Sequence, residues 1–337
     1  MDTVELTRDA VPPMFAFTDE HQALREVVRA LFSDTDDPAT GWRRLLGEIG
    51  ADEIILGSTE SDDTGSPIDL AILAEEAGAA LFGGPLIPTV LAGQFAAALG
   101  DADLISALRD GTQTVAATLG DDSPVWHGPG AHLLLVRRGG WVALFDATDP
   151  DVVLTPVDGL DPSRPLARHT VGAATPIARS EGESTGAEHI VSLALSAELL
   201  GVAQHALDGT VQYVAQRVQF GRTIGSFQAV KHRLVDLLAK VELTRSAVYG
   251  AAWQLTSDPG AISTEVDLAV AAALSRDTAL AVTKAAIQLH GGIAITYEHW
   301  AHRYFRRAHA VTALTGTAGR YRRRLADLVD LRDGAHV

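Results

Sequence analysis

The amino-acid sequence predicts a mainly α chain in which one small β domain separates two helical domains, and three observations carry that prediction. Apolar residues recur at helical spacing from Phe17 to about Ala107. Short β-branched runs divided by Gly, Pro and Asp clusters replace them between about Thr112 and Ser184. Helical spacing then returns at Ala187 and lasts almost to the C-terminus. The implied division is a helical domain over residues 1–110, a short β domain over 111–186 and a four-helix bundle over 187–337.

Each element has its own signal. Thr18 and Asp19 offer a helix cap, Gln22 stands three residues after Asp19 as in a capping box, and Leu24, Val27, Val28 and Leu31 make an apolar face. Trp42, Leu45, Leu46 and Ile49 predict a second helix stopping at Gly50. The polar stretch 57–67 reads as a loop, and an apolar helix from Ile68 to about Gly78 follows. Pro85 and Pro88 divide that helix from another starting near Thr89. The strand-like runs are 115–119, 132–136, 141–145, 152–155 and 169–173, with turns at 128–130 and 146–150. In the last zone a first helix covers about 187–217. Phe227, Val230, Leu234, Leu237, Val241 and Val248 form the stripe of a second, with Thr244 filling one slot. The stretch 257–260 breaks it, and Thr264 with Asp267 signals a third helix carrying Val266, Val270, Ala273, Leu274 and Ala281 towards Gln288. A last helix follows Thr317.

Composition narrows the function. The 337 residues include 27 Lys+Arg and 43 Asp+Glu, a formal charge of −16 that argues against nucleic acid as a partner. At 47% hydrophobic and 21% charged residues, the chain buries a large core. The absence of cysteine excludes disulfides, thiolate zinc sites and cysteine nucleophiles. The acidic start, Met1 to Glu5, does not read as a signal peptide, and apolar runs such as 77–86 stop well short of the roughly 20 residues a membrane helix needs. The expectation is a cytoplasmic protein with no membrane partner.

Two segments of the last zone are not explained by core packing. One contains Arg217, Phe220-Gly221, Gly225 and Phe227-Gln228; the other runs from Gln288 through His290 and Gly291-Gly292 to Thr296, Tyr297, Glu298 and His299. Each glycine pair alone is a helix C-terminal cap. Together the segments resemble the acyl-CoA dehydrogenase family, whose signature of Arg, Phe-Gly and Phe-Gln is matched by Arg217, Phe220-Gly221 and Phe227-Gln228. Its Gln-x-x-Gly-Gly element, followed by Thr and Glu, is matched by Gln288, Gly291-Gly292, Thr296 and Glu298. The resemblance covers nearly the whole chain in layout and about 187–324 in motifs.

That resemblance implies FAD, an acyl-CoA substrate and an electron-transfer flavoprotein as electron acceptor. Arg217 suits a pyrophosphate, since a planar guanidinium fork binds it better than an ammonium. Gly291 and Gly292 let a backbone approach a cofactor closely, and Gln288 adds a side-chain amide one turn earlier. In the family these elements, with Phe220, Gly221 and Gln228 among the matched positions, reach a flavin seated on a neighbouring subunit. The β domain of the family supplies the rest of the seat through a Thr-Glu-Pro-x-x-Gly-Ser-like loop and a Trp-Ile-Thr-Asn-like strand. Here residues 118–124 and the short strands after them carry neither motif.

The family also needs a carboxylate base, because a hydroxyl does not ionise near neutral pH. One family position for it falls on Thr315, before Gly316-Thr317; the other, ten residues before Gly201, falls on Val191. No catalytic residue is therefore assigned. The resemblance points to the base-lacking subunit of a heteromeric α2β2 enzyme, acting with a paralogous subunit on a bulky thioester such as a steroid-derived one. Two alternatives stay open: a self-sufficient homo-oligomer with a relocated base at Glu188, Glu198 or Glu298, and a non-catalytic assembly subunit. Glu298 reads as a structural partner of Arg303, Arg306 or Arg307. His290, His299 and His302 lack the carboxylate spacing of a metal site. The eight arginines from Arg303 to Arg332 read as partners of intersubunit acids or of cofactor phosphates.

Overall fold

A computed structural model describes residues 16–57, 65–121, 123–182 and 185–329. The acidic start, most of the 57–67 loop and Arg332 lie outside the described residues. Six helices come first: α1 (Asp19–Ser33), α2 (Pro38–Gly47), α3 (Asp52–Leu56), α4 (Pro67–Ala79), α5 (Leu86–Leu99) and α6 (Ala102–Arg109). The capping box of α1 pairs Thr18 with His21 rather than Asp19 with Gln22: each side chain accepts the other's backbone N–H, at 3.3 and 3.1 Å. Val28 and Leu31 are buried, whereas Val27 is half exposed and lies off the face. Helix α2 ends at Gly47, three residues before the stop expected at Gly50, which is itself left-handed at φ +69°. Helix α5 starts three residues before Thr89 because Pro88 fits within a first turn, where no N–H partner is lost.

Seven strands form one sheet: β1 (Val115–Thr118), β2 (Val125–Trp126), β3 (Leu133–Arg138), β4 (Trp141–Asp146), β5 (Val153–Val157), β6 (Leu166–Thr170) and β7 (Ala178–Glu181), in the order β5-β6-β2-β1-β3-β4-β7. Only β1 and β3 run parallel. The run expected at 169–173 is displaced to β6 because its register with β5 places Leu166 opposite Val157 and Thr170 opposite Val153. The strands β2 and β7, of two and four residues, are too short to show a period.

The chain closes with α7 (Thr185–Gln216), the hairpin β8 (Val218–Gln219) and β9 (Arg222–Thr223), α8 (Gln228–Ser257), α9 (Ile262–His290), α10 (Ala301–Thr315) and α11 (Ala318–Leu328). Helices α7, α8, α9 and α10 pack together, and α11 lies on α9; the bundle's fourth helix is thus α10, ahead of the one expected after Thr317. Within α7, residues Gly186–Gln216 are long and apolar enough to cross a membrane, contrary to the reading that no run reaches that length; 78% of the most apolar window is buried in the fold, as in a core helix. The stripe of α8 is buried at Leu237, Val241, Thr244 and Val248. On α9, Thr264 does not cap: its hydroxyl donates to the Asp258 carbonyl, and the buried face is one of small residues, Ala272, Ser275, Ala279 and Ala286. Helices α4 and α7 meet almost backbone to backbone. A Cβ on Gly201 would lie 1.8 Å from the Glu75 carbonyl oxygen, and one on Gly78 would lie 2.0 Å from that of Glu198.

Candidate functional site

The two motifs meet at one end of the bundle. Past α7 the chain reverses through the β8–β9 hairpin, whose two central residues are Phe220 at φ +54° and Gly221 at φ +73°. A two-residue turn with both centres left-handed matches the right-handed twist of its strands. Glycine adopts that conformation freely, but a phenylalanine there is strained. The Phe220 side chain is nevertheless 91% exposed, meeting only the edge of Phe227 at 6.2 Å among ring contacts of the described residues. The Arg222 guanidinium covers the Phe227 face at 4.0 Å.

Arg217 is exposed at the foot of the hairpin, 5.8 Å from the ring centre of Tyr213, one helical turn earlier. Tyr213 in turn stacks on His290, with centroids 4.1 Å apart and planes 23° apart, and donates its hydroxyl to the His290 carbonyl at 3.3 Å. His290 is the last residue of α9, so Gly291 and Gly292 begin directly beside this stack. Gly291 has φ +67°, and a Cβ at either glycine would meet nothing within 4 Å, leaving the turn open to an approaching group. Gln288, one turn back, lines a cavity of about 680 Å³ with Arg233 and Lys284. Gln228 is exposed at the first residue of α8.

The donor set of Arg217, Gln288 and the open glycine turn fits the phosphate and polar edge of a dinucleotide. The structure thus links Arg217 to the residue before the Gly291-Gly292 turn through Tyr213 and His290, with Phe220 and Gly221 at the tip of the adjoining hairpin, and leaves Gln288 in the cavity it shares with Arg233 and Lys284. Sequence reasoning missed Tyr213, His290 and Trp300 as the link, although the four-residue step from Tyr213 to Arg217 was a usable signal. The histidines expected to lack a metal role form ring contacts: His290 meets His299 at 4.8 Å and Trp300 at 5.1 Å. Burial pushes His290 and His299 below the ordinary histidine range.

Thr315 is not free to act on a proton. Its hydroxyl donates to the Val311 carbonyl at 2.7 Å and accepts from Arg276 at 2.8 Å. Arg276 is wholly buried; it also donates to the carbonyls of Gly316 and Ala272, at 2.8 and 3.0 Å, and to the Tyr321 hydroxyl at 3.1 Å. Val191, the other base position, is a buried valine.

The three alternative carboxylates differ. Glu198 is 3% exposed and accepts from Arg164 and Arg307, both at 2.9 Å. Burial opposes its ionisation, yet the two guanidiniums win and hold it below the ordinary carboxylate range, so it is an ion-pair partner and not a proton acceptor near neutral pH. Glu188 pairs with Arg137 at 2.6 Å and lines a cavity of about 510 Å³ with Val191 and Thr315. Glu298 is exposed, and two of the three arginines expected to pair with it are held elsewhere: Arg307 binds Asp161 and Glu198, and Arg306 donates to the Leu160 carbonyl at 2.6 Å. Two more of the C-terminal arginines pair inside the chain, Arg322 with Asp277 and Arg324 with Glu265. The reading of that arginine run as a set of intersubunit or phosphate contacts is corrected for these four residues. On the sheet side Trp126 is fully buried at the end of β2, and the Arg164 guanidinium lies 4.4 Å from its ring centre.

The acyl-CoA dehydrogenase C-terminal domain model matches residues 192–329. The Mycobacterium tuberculosis acyl-CoA dehydrogenase IpdE2 is 35% identical over 323 residues, 95% of each chain. Among solved structures, a steroid acyl-CoA dehydrogenase, Tcur3481-Tcur3483, superposes with TM-score 0.80 at 26% identity, covering 94% of this chain and 99% of that one. An FAD-dependent dehydrogenase shares the fold with TM-score 0.76 at 18% identity, covering 94% of this chain and all of that one. The chain therefore belongs to the acyl-CoA dehydrogenase family of oxidoreductases.

Proposed function

We propose that this chain is the base-lacking subunit of an α2β2 acyl-CoA dehydrogenase, completing the FAD site of a paralogous subunit that carries the base. The observation that carries the reading is the exposed end of the bundle. There Arg217, the strained Phe220 tip, Gln288 and the Gly291-Gly292 turn all face outward, while the chain's own base position holds a threonine bound to Arg276. A strained, exposed aromatic is retained at a site that another surface covers. Arg217 would hold the pyrophosphate, and Gln288 with the glycine turn would hold the adenosine half. The bound flavin supplies the hydride acceptor, and an electron-transfer flavoprotein takes the electrons onward.

The substrate we assign is a bulky acyl-CoA thioester of steroid origin, in keeping with the steroid acyl-CoA dehydrogenase that shares 26% identity with this chain, and the setting is the cytoplasm. The test is to purify the chain alone and with a co-expressed adjacent-gene paralogue, then compare visible flavin absorbance and native mass. Flavin is expected only in the heteromer; full flavin occupancy in the solitary chain overturns the reading. One observation favours self-sufficiency instead, because Glu188 shares a cavity with both family base positions. Glu188→Gln in the assembled enzyme separates the two: unchanged turnover supports the half-site, and abolished turnover supports a relocated base.

A further inference from the structure

We infer that Tyr213 is the positioning residue that holds the two halves of the outward-facing cofactor surface in register, an inference that rests on the half-site reading above. Arg217 directly follows α7 and the Gly291-Gly292 turn directly follows α9, and they lie 74 residues apart in the chain at their nearest members. The Tyr213 side chain meets both Arg217 and His290, the residue before the turn. The Tyr213 ring lies beneath the Arg217 guanidinium at 5.8 Å, within the range where a cation is drawn to a ring face. Its opposite commitments are to α9: a stack on His290 at 4.1 Å and a hydroxyl hydrogen bond to the His290 carbonyl at 3.3 Å. That carbonyl is one of the acceptors a helix C-terminus leaves without an intrahelical partner. Tyr213 therefore caps α9 and fixes where the glycine turn departs.

The support behind the stack is rigid. His290 is buried, its Nδ1 lies 2.8 Å from the Ala286 carbonyl oxygen, and Trp300 meets the ring edge-on at 5.1 Å. Trp300 itself reaches α7 only because residue 209 is glycine, where a Cβ would lie 2.6 Å from the indole. Arg217 is held from the backbone side as well, its N–H donating to the Tyr213 carbonyl at 2.9 Å and its carbonyl accepting from Ile224 at 2.8 Å. The guanidinium, with no carboxylate within ion-pair distance among the described residues, keeps its fork available to an anion. Tyr213 sets the angle at which that fork faces the turn.

The test is a double-mutant cycle on FAD affinity, read by flavin fluorescence titration of the heteromer with its co-expressed paralogue, after native mass has shown assembly. Tyr213→Leu is expected to weaken FAD binding about tenfold with Arg217 present, and by much less in an Arg217→Ala background. An unchanged affinity, or an equal loss in both backgrounds, overturns the inference, since a merely structural tyrosine acts independently of Arg217. Should Tyr213→Leu fail to assemble, Tyr213→Phe carries the test: it keeps the stack and loses the hydroxyl. Its expected effect is about a threefold loss that vanishes without Arg217, and no loss with Arg217 present overturns the inference. Arg217→Ala with undiminished affinity sinks the half-site reading itself, whereas a loss there with an inert Tyr213→Leu sinks only the positioning role.

Discussion

Glu198→Gln separates a structural carboxylate from a catalytic one. Glu198 lies with Arg164, Arg307 and Asp161 in a four-charge cluster whose members are 0–8% exposed. The cluster ties α7 and α10 to the loop before β6, and Arg307 extends it to the carbonyls of Leu81 and Phe82 after α4. Two positive and two negative charges balance there; the amide substitution keeps the shape and leaves one positive charge uncompensated. Removing one partner of a buried pair costs about 3–5 kcal/mol. With an unfolding entropy of about 0.7 kcal/mol/K for a chain of 337 residues, the melting temperature falls by about 4–7 °C.

The same change alters the acid limb of stability. Burial opposes ionisation of Glu198 and Asp161, but Arg164 and Arg307 for the first, and Arg307 for the second, overcome it and depress both pKa values. A depressed carboxylate contributes stability that is present above its unfolded pKa, about 4, and is lost as pH falls through the folded value. The wild-type chain should therefore lose more stability below about pH 4 than the variant does. Differential scanning fluorimetry across pH, with turnover of the assembled enzyme measured well below the melt, provides both readouts. An unchanged melting temperature with abolished turnover refutes the reasoning and makes Glu198 the missing base.

Three further outcomes follow from the geometry. Thr315→Glu should not create a working base, because the new carboxylate would lie against Arg276 and stay ion-paired; dye-coupled acyl-CoA oxidation with a base-dead partner checks this, and any gain of turnover contradicts it. Gly201→Ala should destabilise the chain by about 1–3 kcal/mol or more, since its Cβ would fall 1.8 Å from the Glu75 carbonyl and force α4 from α7. An unshifted urea midpoint would show that the helices are not so close. Phe220→Gly should leave the isolated chain at least as stable, by relief of roughly 1–3 kcal/mol of backbone strain, while weakening heteromer formation in native mass titrations. Loss of stability in the isolated chain would mean that the ring packs within its own fold.

What the sequence made legible followed from period and from motif. The long helix α8 announced itself because a 3.6-residue stripe persists over many turns, and the candidate flavin-contact residues because two combinations of Arg, Gly and aromatic residues occur in order. The rest was hidden for physical reasons. Helix α3 spans five residues and β2 two, too few for any periodicity to emerge. Helix α9 is buried on nearly all sides through Ala, Ser and Thr, so its core face is defined by size rather than hydropathy, and the apolar positions Val266, Val270 and Leu274 proved only half buried. Thr264 looked like a cap, but its hydroxyl found a carbonyl six residues back. Tyr213 and Trp300 matter through contacts across 77 and 95 residues of chain, which no local window contains.

The distribution of arginines carries the functional argument further than the net charge does. The chain carries a charge of −16, and the structure shows where several of its C-terminal cations are committed. Arg307 neutralises Asp161 and Glu198, Arg276 clamps the turn after α10, and Arg322 and Arg324 pair along α9. A guanidinium bound to a buried carboxylate is not available to a phosphate without leaving that carboxylate uncompensated, at a cost of several kcal/mol. Arg217 is not among them: it is exposed, rests on the Tyr213 ring, and Tyr213 links it to the residue before a glycine turn with open space around it. An anion approaching this end of the bundle therefore meets a cation that can be recruited without breaking an existing ion pair. The chain's own base position meets the reverse condition, since any carboxylate introduced at Thr315 would fall to Arg276 first. On the proposed half-site reading, this places a free cation at the outward end of the bundle and leaves Glu188, in the cavity beside Val191 and Thr315, as the carboxylate whose removal decides between that reading and a self-sufficient site.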